Sequence, residues 1–134
     1  MKKICIILSL TIGLLLGGCT SKVEPLLKGS YQSNIEGIGY VILMTFQPDD
    51  NSFVEYIDNR EVDSGTYQET ENNVYKIKSD TQNFEITLSA EDSFEIIIDK
   101  MNNGEPIKLY KVDDTPIYFP TNFNDVDKYK EFIK

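Results

Sequence analysis

The chain reads as an all-β domain: an antiparallel meander folded as a small barrel or sandwich, followed by a short C-terminal helix. Three observations predict this. Turn-forming clusters recur about every ten residues, from Pro48-Asp49-Asp50-Asn51 to Asp113-Asp114-Thr115-Pro116. The segments between them are short and rich in Tyr, Phe, Ile and Val, the residues that suit a pleated, half-buried surface. Several alternate with period two: Phe84, Ile86 and Leu88 share one face and Glu85, Thr87 and Ser89 the other, and Phe94, Ile96 and Ile98 repeat the pattern.

Taken in order, these signals predict eight strands. The first, 29–34, opens on Gly29-Ser30-Tyr31-Gln32. The second, 38–47, contains Tyr40-Val41-Ile42-Leu43-Met44, which is apolar on both faces. Such a strand is expected at the centre of a sheet with both sides covered, for example by the C-terminal helix. Alternatively one of its faces lines a hydrophobic cavity or partner surface, which makes Tyr40, Ile42 and Met44 ligand or partner candidates. Strand 52–58 follows the Pro48–Asn51 turn. Strands 63–70 and 73–79 flank Glu71-Asn72-Asn73, and strands 83–89 and 92–99 flank Ala90-Glu91-Asp92. Strand 106–112 follows Asn102-Asn103-Gly104. In the tail, Val126, Tyr129, Phe132 and Ile133 fall on one face of a short helix over 124–133, with Asn124 as its expected N-cap. A faint internal repeat sets Gly29-Ser30-Tyr31-Gln32 against Gly65-Thr66-Tyr67-Gln68, 36 residues later, as if two related halves paired into one sheet.

The start of the chain has a different character. Met1-Lys2-Lys3 is a short positive segment, Ile4–Leu16 is apolar, and Gly17-Gly18-Cys19 follow. This is the three-part layout of a secretory signal. A helix over 4–18 would span roughly 22 Å, short of a hydrocarbon core of about 30 Å, so a membrane-spanning reading fails. The chain therefore divides into a signal over 1–18, a tether over 19–27 and one β-rich domain over 28–134. The 134 residues less 18 leave 116, enough for one ordinary domain.

Leu16-Gly17-Gly18-Cys19 resembles the bacterial lipobox: an aliphatic residue, two small residues, then the lipid-accepting cysteine. The resemblance to bacterial lipoproteins implies diacylglycerol on the Cys19 thiol and cleavage between Gly18 and Cys19. It also implies a domain held outside the cytoplasm on the cell membrane. Two acyl chains give stable anchoring where one gives marginal binding. Thr20–Leu26, fully extended, reach at most about 25 Å, which keeps the domain close to the bilayer.

Within the domain, Leu27-Lys28-Gly29-Ser30-Tyr31 is similar to the opening of a lipocalin-like domain, with Tyr31 where that family places a Trp. The similarity implies a small lipocalin-like barrel, as in the small lipocalin-like lipoproteins of bacteria, with Tyr31 at its floor.

Composition removes whole classes of chemistry. The chain has no His, and its two cysteines are Cys5, in the signal, and Cys19. A Ser-His-Asp triad, His-ligated zinc, a disulfide and a free-thiol nucleophile are therefore absent from the mature part. After residue 18 there are 11 basic and 22 acidic residues, a net −11, which argues against nucleic acid. Asp49-Asp50-Asn51 and Asp113-Asp114 lack calcium-loop spacing and are expected to be turns, so no metal or other cofactor is expected. Glu55 is the one acid whose facing is ambiguous. With Phe53 and Ile57 inward it lies inside, with a raised pKa or a buried partner. With Val54 and Tyr56 inward it meets water. The second is the expected facing, since an unpaired charge costs several kcal/mol to bury. The function predicted is non-catalytic: an envelope domain binding a protein partner or a small apolar ligand. An enzyme using carboxylates, Tyr or Lys is the alternative.

Overall fold

A computed structural model describes residues 25–120 and 122–134. Gly18, Cys19 and the rest of 1–24 lie outside the described residues, as does Thr121. Among the described residues eight strands form: β1 (Gly29–Ser33), β2 (Ile42–Gln47), β3 (Ser52–Ile57), β4 (Arg60–Glu71), β5 (Val74–Ser79), β6 (Asn83–Thr87), β7 (Ser93–Ile96) and β8 (Ile107–Asp113). A short helix α1 (Val126–Lys130) and a 3-10 turn (Glu131–Ile133) follow. The order across the sheet is β6-β5-β4-β3-β2-β1-β8-β7, with every pair antiparallel. The sheet curls into a nearly closed barrel. Its two free edges, β6 and β7, are consecutive in sequence and joined by a tight connection in which Ser89 N donates to Ser93 O (2.8 Å).

Local chemistry adjusts the expected strand boundaries. The second strand begins at Ile42 because Gly37 (φ 91°) and Gly39 (φ 75°) hold 34–40 in a loop, where Gly39 N donates to Ile35 O. β4 starts earlier than expected, at Arg60. Asp58 (φ 48°) and Asn59 (φ 67°) make a two-residue turn of the kind that matches strand twist, so Arg60 pairs directly with Ile57. The helix is capped one residue late. Asp125, and not Asn124, holds the N-cap position, and Arg60 grips its carboxylate through two 3.0 Å hydrogen bonds.

The barrel interior is filled by aromatic and aliphatic side chains. Tyr31, Phe46, Phe53 and Phe94 are buried, and rings pack edge-on or tilted along Tyr31–Phe94 (5.0 Å), Tyr31–Phe46 (5.8 Å) and Phe46–Tyr67 (5.2 Å). The two Gly-x-Tyr segments thus send Tyr31 and Tyr67 against the same Phe46. Both need glycine for the same reason: a Cβ at Gly29 would collide with the Asp113 carbonyl oxygen, and one at Gly65 with that of Lys78.

β2 is central and covered on both sides. Ile42, Met44 and Phe46 belong to the interior, while Leu43 and Thr45 are buried on the outer face. The outer cover is extended chain after β8 rather than the helix. Ile117 N donates to both Ser30 Oγ and Thr45 Oγ1 (2.9 Å each), and Phe119 N donates to Tyr56 OH (3.2 Å). A strand apolar on both faces thus has its partners, one in the core and one in the returning tail.

Candidate functional site

Glu55 faces inward. Phe53, Glu55 and Ile57 share the buried face of β3, and the outward facing expected for Glu55 is corrected by its 1 % exposure. Tyr56, which would have been the inward residue, is buried on the opposite side against Phe119 (5.1 Å between rings). The expectation failed because it counted one apolar layer. The tail supplies a second, so both faces of β3 hold buried aromatics.

The register brings a second acid beside Glu55. Met44, Glu55 and Asp63 are cross-strand neighbours on β2, β3 and β4. Between Glu61, which pairs with Tyr56, and Asp63, which pairs with Glu55, Val62 is an extra residue, and the ladder bulges there. A bulge shifts the phase of alternation, and here it turns both Val62 and Asp63 inward.

One side chain bridges the acids. Gln82, on the turn between β5 and β6, donates from Nε2 to Glu55 Oε1 (2.9 Å) and to Asp63 Oδ2 (2.7 Å). Ser79 Oγ donates to the same Asp63 oxygen (2.6 Å) and accepts from Gln82 N (2.9 Å), which fixes the turn. Asp63 Oδ1 accepts from Ser64 N (3.0 Å). Glu55 Oε2 is buried and has no hydrogen-bond partner among the described residues. Burial pushes the Glu55 carboxyl up from 4.5 to about 7; the Gln82 hydrogen bond opposes this, and the nearby charge of Asp63 adds to it.

The C-terminal turn sits over this cluster. A cleft of about 400 Å3 runs between β4, the turn after β5 and the C-terminal residues, and it reaches Asp63. A smaller one of about 180 Å3 reaches Gln82 from the side of residues 97–100. Ile133 and Lys134 line both and stand between them.

The other candidates are placed elsewhere. Ile42 and Met44 are fully buried in the barrel interior. Tyr40 lies on the loop before β2, half-buried, with its ring against Phe132 (4.9 Å) and Tyr129 (6.2 Å), at the edge of a recess of about 310 Å3. Asp50 and Asp113 act in turns: Asp50 Oδ1 accepts from Ser52 N and Oγ, and Asp113 Oδ1 accepts from Thr115 N. Among the described residues, no group of three or more carboxylates could hold a metal ion.

No protein family, curated protein or solved structure matches the chain.

Asp63, Gln82 and Ser79 carry no motif. Ser79 and Gln82 bound an ordinary turn signal, and Asp63 is one polar residue at the start of a predicted strand. A three-strand register and a bulge bring them to Glu55, and neither has a signature along the chain.

Proposed function

We propose that this chain is a lipid-anchored lipoprotein of the bacterial cell envelope whose β domain works by binding. The observation that carries the anchor is the set Leu16-Gly17-Gly18-Cys19 placed directly after an apolar segment too short to span a bilayer. The filled interior supports the choice between ligand classes. With Tyr31, Phe46, Phe53 and Phe94 packed on one another, the axis holds side chains where a carrier of apolar molecules holds its cargo. A narrow barrel of this size is expected to fill in that way. Recognition is then assigned to the outer surface and the barrel ends, with a protein or polar ligand favoured over a buried apolar one.

A carboxylate enzyme has one observation on its side: Glu55, carried to about 7, beside Asp63. Against it, Glu55 is 1 % exposed beneath the C-terminal turn, so a substrate would meet it only after that turn moves.

Metabolic labelling with a fatty-acid analogue tests the anchor. Wild-type chain should take up label and Cys19→Ala should not. Equal label in both would remove the lipoprotein reading.

A further inference from the structure

The polar cluster around Glu55 and Asp63 has an acceptor and a charge that no partner completes among the described residues. We propose that the cleft leading to Asp63 and Glu55 is a binding site for a primary ammonium group carried on an unbranched alkyl chain. Asp63 lines the cleft, and its cross-strand neighbour Glu55 carries an unpartnered, fully buried Oε2. An oxygen in that condition is an acceptor without a donor, and burial without a partner is costly. The cluster's donors are spent: Gln82 Nε2 already serves both acids, and Ser79 Oγ serves Asp63. A compact ammonium brings three N–H donors and a positive charge to two acids that have no cationic partner in contact among the described residues.

The walls suit the rest of such a ligand. Val62 and Ile133 offer apolar surface for an alkyl stem, while Glu61, Asp80 and Asp127 gather acidic charge along the approach. Lys130 and Lys134 line the same cleft, so its far side disfavours a second cation. Entry to Glu55 requires Ile133 to move. It belongs to a single 3-10 turn, held on its outer side by the hydrogen bond from Lys100 Nζ to the Glu131 carbonyl (2.9 Å). None of its residues is fully buried, and a single short turn of that kind is among the cheapest elements of a fold to displace.

This inference rests on the binding reading of the domain and not on its lipid anchor. The two therefore fail separately: lost labelling leaves the cleft, and lost amine binding leaves the anchor.

The test uses the full chain, isotope-labelled, in nonionic detergent at pH 8. The Gln82 side-chain amide signals are followed during titration with n-butylamine, with Nα-acetyl-lysine methylamide and with tetramethylammonium. The first two should shift those signals saturably. Tetramethylammonium, which has no N–H donor, should not. Glu55→Gln and Asp63→Asn should each weaken binding by about tenfold or more. Asp63→Asn lies nearer the surface and serves if the Glu55 variant unfolds. A response to butylamine alone identifies a free amine as the ligand, and a comparable response to the lysine derivative identifies a protein side chain. Absence of saturation, an equal effect of tetramethylammonium, or undiminished binding in folded Glu55→Gln would each overturn the proposal.

Discussion

The phenol of Tyr31 donates a 2.7 Å hydrogen bond to Asp92 Oδ1, tying the buried aromatic of β1 to the connection between the two unpaired edges, β6 and β7. Lys111 reinforces the tie. Its ammonium lies 3.5 Å from Asp92 Oδ2 and 5.0 Å from the Tyr31 ring centroid. Burial, then the hydrogen bond to Asp92, raises the Tyr31 pKa well above that of a free phenol, so this group stays neutral and donating wherever the protein is folded. Tyr31→Phe keeps the ring and loses the donor. It should cost about 1–2 kcal/mol in denaturant melts, the usual scale for a hydrogen bond to a charged, partly solvated acceptor. Hydrogen exchange across 88–93 should speed up in the same variant. Unchanged exchange there would mean that Asp92 is positioned by Lys111 alone.

Phe94 reports on how well the barrel is filled. Its ring meets both Tyr31 and Phe46, and 2 % of the residue is exposed. Phe94→Ala should destabilise by about 3–5 kcal/mol, the cost of emptying a packed aromatic site. Denaturant melts decide. A loss well under 2 kcal/mol, with saturable binding of a hydrophobic dye to the native wild type, would point to an open cup and a carrier role (threshold about half the expected cost).

Glu55 makes stability depend on pH in an unusual direction. Its carboxyl titrates at about 7 in the folded chain and at 4.5 in the reference state, so the folded state holds the extra proton between those values. Its stabilising contribution is therefore complete below the lower value and is lost as pH rises through about 7. Integrated over the window, the loss is on the order of 3 kcal/mol. Glu55→Gln should remove this component. The difference between variant and wild-type stability should grow in favour of Gln from pH 4.5 to 7 and then level off. Parallel pH profiles across the window would show that the Glu55 carboxyl does not change protonation on folding.

Arg60 fastens the C-terminal helix to the barrel. It chelates Asp125 through two 3.0 Å hydrogen bonds, and its guanidinium lies over Phe123 (3.9 Å) and Tyr129 (4.6 Å). Arg60→Ala should release α1 while sparing the sheet. Limited proteolysis should then trim the chain after about residue 120, with melting of the barrel little altered. Arg60→Lys should rescue only in part, because a point charge cannot reproduce the bidentate, stacked geometry. Equal protease resistance in wild type and Arg60→Ala would show that the ring contacts of Tyr40 with Tyr129 and Phe132 suffice to hold the helix.

Much of this was legible along the chain. Turn residues and period-two alternation are local signals, and they placed all eight strands to within a few residues, apart from the late start of β2. The apolar periodicity of Val126, Tyr129, Phe132 and Ile133 likewise marked a short helix, which forms as α1 and the following 3-10 turn. The double-faced pattern of Tyr40–Met44 marked a central strand. The likeness of the two Gly-x-Tyr segments has a shared structural basis, a neighbouring carbonyl that excludes a Cβ at both glycines. These features depend on residues close in sequence, where each side chain's preference acts on its own backbone.

Tertiary structure decided the facing of Glu55 and everything attached to it. Alternation along β3 allows two phases, and the choice between them was made by Phe119 and its neighbours, more than sixty residues away, which cover Tyr56 from outside. The extra residue Val62 then turned Asp63 toward Glu55, and the turn before β6 delivered Gln82 between them. Local pattern determined that this chain makes an antiparallel β domain, barrel or sandwich, and composition that it does so without histidine. Which polar groups meet inside that barrel was set by strand register, by one bulge and by the returning tail, because the energy of a buried carboxyl depends on what surrounds it and not on which residues precede and follow it.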